Sequence, residues 1–233
     1  MSDASDKMRG ERELPLFPLP LVLFPGVPLP LHIFEPRYQR LLADIRANDS
    51  LFGLSYFDAA EAEDSRPPLG HIGCVAEVTE VQPLPEGRSN ILTVGLIRYR
   101  VESYVESLEP YLVGRVQFFE DEEEDADFLQ QRADEVLKIF MRIARAVRVI
   151  NDERASLPEL PQTEPERLSF LIAAAMDLDT DVKLELLELR STAERLKRLR
   201  DLLARAVSGY EERARIHSIS KKNGHGGKKI DLE

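Results

Sequence analysis

The chain has 233 residues, of which 43% are hydrophobic and 31% charged; this composition is typical of a soluble globular protein with a core under a charged surface. The formal net charge of −11 disfavours a general binder of nucleic acid or of anionic membranes, since both ligands require a positive face. The single cysteine, Cys74, excludes an intrachain disulfide and a cysteine-only zinc cluster. Because the sequence has neither a signal-peptide pattern at its start nor an apolar run of transmembrane length, we expect a cytoplasmic protein that does not span a membrane.

The first predicted element with a clear pattern is a strand at 27–33. Residues 1–12 before it are mostly polar and predict a disordered amino terminus. In the strand, apolar residues alternate with Pro28, Pro30 and His32, which is typical of a half-buried strand. Both prolines lack an N–H on the same lateral side, so the strand is expected at a sheet margin or a barrel seam. A short helix is predicted to follow from Pro36, with Glu35 at its positive end.

Alternating patterns predict further strands up to residue 119. Cys74 falls within one of these patterns and is expected to be a small buried hydrophobe. The predicted strands are Leu51–Phe57, Ile72–Val81, Ile91–Val105 and Tyr111–Phe119. Several strands with turn signals and a lone helix indicate an α+β protein whose first domain, 13–119, is a small, partly open barrel.

The run EDEEEDAD at 120–127 carries seven acidic residues in eight positions. We interpret it as a solvated linker and a domain boundary. The alternative, a site for a basic partner or a divalent cation, requires carboxylates that converge on one point, and the run has no EF-hand spacing.

Residues 128–217 carry helical patterns throughout. Apolar residues from Leu129 to Ile150 form one stripe, and Ser191 with Glu194 is typical of a capped start to the last helix. These patterns predict a bundle of about four helices. The segment 218–233 is rich in glycine and lysine and predicts a flexible tail.

Three stretches together resemble one known family. They are LFPLPLVLFPGVPLPLHIFEPRY (16–38), GLIRYRV (95–101) and KLELLELRSTAERLKRLRDLL (183–203). In this order they resemble the amino-terminal, substrate-binding domain of Lon proteases, most closely its stand-alone bacterial members, over roughly residues 13–210. The resemblance implies a PUA-like β pseudobarrel followed by a C-terminal helical bundle.

A search for catalytic motifs finds none. The near match to a phosphate-binding loop, Gly224–Lys229, lacks the required spacing and is followed by Ile230. No serine and lysine form a recognisable protease motif, the length leaves no space for the ATPase and protease of full-length Lon, and the four histidines lack zinc-site spacing. We therefore expect no enzymatic activity, no catalytic residues, no metal and no cofactor.

The remaining candidates for binding are aromatic, arginine and glutamate residues, and one interpretation is that they contact a peptide. They are Phe34, Glu35, Arg37, Tyr38, Arg98 and Arg100. Arginine and aromatic residues often line peptide grooves. The alternative is structural: Arg98 satisfies backbone carbonyls or pairs with Glu35 across the barrel.

The leading functional hypothesis is a non-catalytic module that binds client or unfolded proteins and peptides, as an adaptor, a chaperone-like binder or a regulator. Association with a protease or chaperone system stays open, and the oligomeric state is expected to be a monomer or a small homo-oligomer. RNA binding is the runner-up, because PUA-like barrels in other families bind RNA, although the acidic balance opposes it. An unfamiliar hydrolase and an oligomeric scaffold built on the last helix are further alternatives.

Overall fold

The computed structural model describes residues 11–58, 66–153 and 163–223. The chain forms two compact units. Of the described residues, the first unit comprises those from 11 to 123 together with 170–191, and the second comprises those from 124 to 169 together with 192–223.

The described residues form six strands and five α-helices. The strands are β1 (Glu11–Leu19), β2 (Pro28–Ile33), β3 (Leu51–Tyr56), β4 (Ile72–Pro83), β5 (Ser89–Val105) and β6 (Leu112–Phe119). The helices are α1 (Pro36–Arg46), α2 (Ala126–Ile150), α3 (Pro165–Ala175), α4 (Thr180–Glu188) and α5 (Thr192–Asn223). A single 3-10 turn lies at Pro85–Gly87. The predicted bounds of α1 agree with the structure, and those of the predicted strands agree within two residues.

The sheet closes on itself through its longest strand, β5. The strand order is β2-β5-β4-β3-β1-β6, and β5 also pairs with β6, which completes the ring. The first half of β5 pairs with β2 and its second half pairs with β6. Register shifts in the β4–β5 and β5–β6 ladders let the strands bend, as bulges do in small barrels. The mixed sheet and the helices confirm the predicted α+β fold with a small barrel.

The strand β2 lies at the margin of the sheet, as its prolines predict. It pairs with β5 in antiparallel register, with Pro28 opposite Val94 and Pro30 opposite Leu92. The carbonyl of Val27 accepts a hydrogen bond from Gly95 N at 3.0 Å. Because hydrogen-bonded and non-hydrogen-bonded pairs alternate along such a ladder, the prolines fall at positions whose N–H would face away from β5. The two backbone positions that lack an N–H therefore face the outer edge of β2.

The barrel sheet buries side chains on both faces. On β1, Leu14 and Leu16 belong to one apolar cluster, whereas Phe17 belongs to the other. The strand β3 divides in the same way, with Leu51 in the first cluster and Phe52 in the second. Alternation along each strand sends successive residues to opposite faces. The second cluster also contains the buried face of α1, which is Tyr38, Leu41, Leu42 and Ile45.

The second unit contains the two longest helices. In α2 the buried residues are Ala133, Val136, Ile143 and Ala146. In α5, three residues of the stripe considered for pairing between chains, Leu196, Leu199 and Leu203, are buried within the same chain, whereas Tyr210 is half-buried. Arg142 donates two hydrogen bonds to Glu211, at 2.9 and 3.0 Å.

Several sequence-based boundaries differ from the observed elements. Glu11 and Arg12, assigned to a disordered terminus, belong to β1 because they pair with β6. Residues 170–191, expected in the helical bundle, are part of the first unit. The helix α5 continues into the expected tail as far as Asn223, and the rest of that tail, with Gly224–Lys229, lies outside the described residues. The predicted domain limits at 119 and 128 stay predictions.

The acidic run is less solvated than the sequence indicates. Asp121 pairs with Arg98, Asp125 accepts a hydrogen bond from Phe128 N at 2.8 Å, and Glu124 accepts one from Ala193 N at 3.1 Å. The first N–H groups of a helix and a buried guanidinium are strong donors that carboxylates satisfy. Three of the acidic side chains are therefore structural.

Across the ranges 11–58, 66–153 and 163–223, no helix combines the length and apolarity that crossing a membrane requires.

Candidate functional site

The first unit contains a groove of about 1110 Å³. Its walls combine apolar, aromatic and charged side chains. They include Pro18, Leu19, Pro20, Glu35, Arg37, Tyr38, Phe57, Asp58, Arg66, Leu69, Tyr104, Glu106, Glu109, Pro110, Tyr111 and Leu112. A groove of this size, with walls that combine apolar and charged groups, can accommodate a ligand that buries side chains.

Arg37 and Tyr38, which line the groove, belong to a column of three planar groups that starts at Phe17 in the core. The rings of Phe17 and Tyr38 are stacked, with centroids 3.8 Å apart and planes inclined by 30°. The guanidinium carbon of Arg37 lies 4.5 Å from the centroid of the Tyr38 ring. Glu35 accepts a hydrogen bond from Arg37 Nε at 2.9 Å, and a terminal nitrogen of Arg37 forms an ion pair with the same carboxylate oxygen at 2.9 Å. Since Phe17 and Tyr38 belong to the core, the column has a rigid base.

A second arginine repeats this arrangement in the same groove. The guanidinium carbon of Arg66 lies 4.3 Å from the ring centroid of Tyr104. The Tyr104 hydroxyl donates a 2.6 Å hydrogen bond to the carbonyl of Pro67, which fixes the ring. Such cation–π contacts are worth about 0.5–1 kcal/mol at exposed sites.

Another part of the groove is negative. The Tyr111 hydroxyl donates a 2.9 Å hydrogen bond to Asp44, and Arg40 bridges Asp44 and Glu109 at 2.9 and 3.3 Å. Burial, the hydrogen bond to Asp44 and the charges of Asp44 and Glu109 raise the pKa of Tyr111 to about 12. At the Tyr111 hydroxyl, the negative potential of Asp44 and Glu109 is therefore larger than the positive potential of Arg40.

The structure brings three of the six candidate residues into the groove. Glu35, Arg37 and Tyr38 line it. Phe34 is not part of the lining, but it is 58% exposed and its ring stacks with that of His32 at 5.8 Å. His32 faces outward, as predicted, and its Nδ1 is 2.8 Å from Asn90 Oδ1.

Arg98 has the structural role that the sequence left as an alternative. It is 1% exposed, donates hydrogen bonds to the carbonyls of Leu187 and Leu189 at 2.9 and 2.6 Å, and pairs with Asp121 rather than with Glu35. Phe119 and Phe170 contact its guanidinium. Because the carbonyls of Leu187 and Leu189 accept hydrogen bonds from this buried guanidinium, the observed contacts favour the structural interpretation of Arg98 over a contact with a peptide.

Arg100 also lies away from the groove lining. Its guanidinium donates to the carbonyl of Gly70 at 3.1 Å and is 3.8 Å from Glu188. Nearby, Nε2 of His71 is buried and has no hydrogen-bond partner within the described part of the chain. Burial lowers the pKa of His71, an effect that the charge of Glu188 partly offsets.

Sequence reasoning missed most of the groove. Leu69, Tyr104 and Tyr111 are far from Tyr38 in the chain and share no motif with it. The only sequence signal was the run that contains Pro18 and Pro20, which is continuous with the candidates at 34–38. Among the described residues, no group of three or more histidine, cysteine or acidic residues could hold a metal ion.

The comparisons with known proteins agree with the resemblance. Residues 13–205 match the family model of the ATP-dependent protease La (LON) substrate-binding domain. The chain is 27% identical to Lon protease 2 of Herpetosiphon aurantiacus over 201 residues, which are 85% of this chain and 24% of that protein. It is 30% identical to Lon protease 2 of Myxococcus xanthus over 196 residues, which are 82% of this chain and 23% of that protein. It thus spans about a quarter of the length of these relatives.

Two solved structures share the fold. The Lon N-terminal domain protein from Xanthomonas campestris superposes with a TM-score of 0.59 at 22% identity, covering 81% of this chain and 96% of that one. The N-terminal domain of the Mycobacterium avium complex Lon protease gives a TM-score of 0.61 at 18% identity, covering 83% and 98%. The family match covers most of the chain, and the chain therefore belongs to the family of Lon substrate-binding domains.

Proposed function

We propose that this chain is a non-catalytic protein-binding module that holds extended segments of unfolded client proteins in the groove of its first unit. The observation that carries the proposal is the groove itself, whose walls combine tyrosine rings, leucine and proline with arginine and carboxylate groups. Aromatic and arginine side chains dominate the energetics of protein recognition. The family description as a substrate-binding domain supports the same function.

The shape of the groove favours an extended segment over a folded surface. Its apolar residues come from separate places in the chain, among them Leu19, Phe57, Leu69 and Tyr111. An unfolded segment places alternate side chains on opposite sides and can fill successive pockets along such a wall. The outer edge of β2, where Pro28 and Pro30 provide no N–H, is a poor template for adding a strand. Binding is therefore expected through side chains in the groove.

The experiment that tests the proposal measures binding of an unfolded protein. The probe is fluorescein-labelled lysozyme, reduced and alkylated with iodoacetamide so that it stays unfolded, and binding is followed by fluorescence anisotropy. The expected result is saturable binding that unlabelled probe displaces and native, disulfide-bonded lysozyme does not. Equal displacement by the native protein would contradict the proposal.

A parallel titration with a labelled single-stranded RNA addresses the alternative function. Phosphate contacts make nucleic-acid binding fall steeply with salt, and the chain has a net charge of −11. We expect no RNA binding at physiological salt. Salt-sensitive RNA binding that displaces the unfolded protein would overturn the proposal in favour of an RNA-binding protein.

A further inference from the structure

The orientation of Arg37 is fixed on two sides. One face of its guanidinium lies against the Tyr38 ring, 4.5 Å from the centroid. Nε donates a hydrogen bond to a carboxylate oxygen of Glu35 at 2.9 Å, and one terminal nitrogen lies 2.9 Å from the same oxygen. Tyr38 in turn is stacked on Phe17 in the core. The plane of the guanidinium is therefore set before any ligand arrives.

The remaining face of Arg37 is open. The side chain is 52% exposed, although one face and one edge of the guanidinium are occupied. Because Arg37 is part of the groove wall, a side chain in the groove can reach this second face. A guanidinium is planar and weakly hydrated, and an aromatic ring can stack on it at a small desolvation cost.

The charges around Arg37 favour an aromatic partner over an anionic one. The groove is lined by four carboxylates, Glu35, Asp58, Glu106 and Glu109, and by two arginines, Arg37 and Arg66. An anionic group would meet this excess of negative charge, and Glu35 already occupies an edge of Arg37. The face of an aromatic ring is only weakly negative, so it complements the guanidinium face without repulsion from the carboxylates.

We propose that Arg37 is a specificity-determining residue that selects an aromatic side chain of the bound peptide by stacking on it; this rests on the proposed function. The bound segment then continues the column Phe17, Tyr38, Arg37 with a fourth planar group. The contact between Arg66 and Tyr104 offers the same kind of face at a second place in the groove.

The test compares peptides that differ only in one ring. Three fluorescein-labelled peptides of the same uncharged, flexible sequence carry phenylalanine, cyclohexylalanine or leucine at the central position. Cyclohexylalanine keeps the size and apolarity of phenylalanine but has no π face. Each peptide is titrated against the wild type, Arg37→Met, Arg37→Lys and the control Arg46→Met, which changes an exposed arginine of α1 outside the groove lining.

The expected result is a roughly three- to tenfold tighter Kd of the wild type for the phenylalanine peptide than for the cyclohexylalanine peptide. The preference for phenylalanine disappears in Arg37→Met. It is largely lost in Arg37→Lys, because lysine keeps the positive charge but has no planar guanidinium. In both variants the Kd for the cyclohexylalanine peptide stays close to the wild-type value. Arg46→Met keeps the wild-type preference.

Three outcomes would overturn the inference and leave the proposed function standing. The first is equal binding of the phenylalanine and cyclohexylalanine peptides by the wild type. The second is a preference for phenylalanine that survives in Arg37→Met. The third is an equal loss of affinity for all three peptides in that variant. If the wild type binds neither these peptides nor the unfolded lysozyme, the proposed function itself fails.

Discussion

The guanidinium of Arg98 and the carboxylate of Asp121 form an ion pair that is almost completely shielded from solvent, with side-chain exposures of 1% and 5%. The pair joins β5 to the start of the acidic run. The same guanidinium binds the carbonyls of Leu187 and Leu189, so one cation fixes three segments of the first unit. Because Asp121 pairs with a charge that is shielded from solvent, its removal deprives a buried cation of this partner.

We predict that Asp121→Ala lowers the free energy of unfolding by about 3–5 kcal/mol, as for other broken buried ion pairs. The control is Glu123→Ala, which replaces an exposed acid of the same run. We expect this control to change the free energy of unfolding by less than about 0.5 kcal/mol. Urea denaturation followed by circular dichroism measures the free energy of unfolding of both variants. Equal effects of the two substitutions would mean that the pair with Arg98 does not stabilise the fold.

Two glycines in different surroundings provide a matched pair of substitutions. A Cβ at Gly73 would lie 2.4 Å from the Tyr99 hydroxyl and 2.5 Å from the carbonyl oxygen of Leu54, whereas a Cβ at Gly209 in α5 meets no atom within 4 Å. We predict that Gly73→Ala destabilises the protein by about 1–3 kcal/mol through overpacking. Gly209→Ala should stabilise it by about 0.5–1 kcal/mol, because alanine is the better helix former. Thermal unfolding of both variants measures the difference, and a Gly73→Ala variant as stable as the wild type would contradict the packing around Tyr99.

The buried ring of His71 predicts a pH dependence of stability. Its pKa is lowered from 6.5 in the folded protein, chiefly by burial, so the unfolded chain takes up the proton first as the pH falls. The stabilising contribution of the neutral ring to the free energy of unfolding is present above about pH 6.5. It is lost progressively as the pH falls toward the lower pKa of the folded state. Replacement by glutamine removes this titration. We expect the free energy of unfolding of His71→Gln to fall less steeply than that of the wild type below pH 6.5.

The control for this measurement is His32→Gln, whose imidazole is on the surface. It separates the loss of the buried His71 ring from the general effect of replacing a histidine. Parallel curves for the wild type and His71→Gln would show that the His71 ring is protonated equally in both states.

Cys74 is expected to be inert in the folded protein. It is fully buried, and burial raises the pKa of its thiol to about 12, so the reactive thiolate is scarce at neutral pH. Iodoacetamide should modify it at least about a hundredfold more slowly in native buffer than in denaturant, since modification requires opening of the barrel. Rapid native labelling, measured by mass spectrometry, would contradict the position of Cys74 in the core.

Local patterns were sufficient to predict five of the six strands and α1, whereas β1 was not predicted as a strand. The prolines of β2 indicate an edge without reference to any other strand, and the pattern of Pro36, Leu41, Leu42 and Ile45 defines a helix with one buried face. These features depend on residues a few positions apart. The closure of the barrel depends instead on β5 pairing with both β2 and β6, and no local pattern carries that information.

The role of Arg98 shows why the candidate site was only partly predictable. Arg98 and Arg100 alternate with apolar residues, and the pattern indicates two polar residues on one face. The face becomes buried at Arg98 because residues 187–189, some ninety positions later, cover it, while the Arg100 side chain stays 43% exposed. Tyr104 and Tyr111 were missed for a related reason, since the chain brings them to Tyr38 only when the barrel closes.

The most direct test of the account measures binding of the unfolded, alkylated lysozyme to two charge variants at exposed apolar residues. Leu69 is 62% exposed and lines the groove, whereas Ile219 of α5 is 45% exposed and is not part of the lining. We predict that Leu69→Asp weakens binding roughly tenfold or more, with an unchanged melting temperature, and that Ile219→Asp binds as the wild type does. Equal affinities of Leu69→Asp and the wild type would place the bound chain elsewhere and contradict the account.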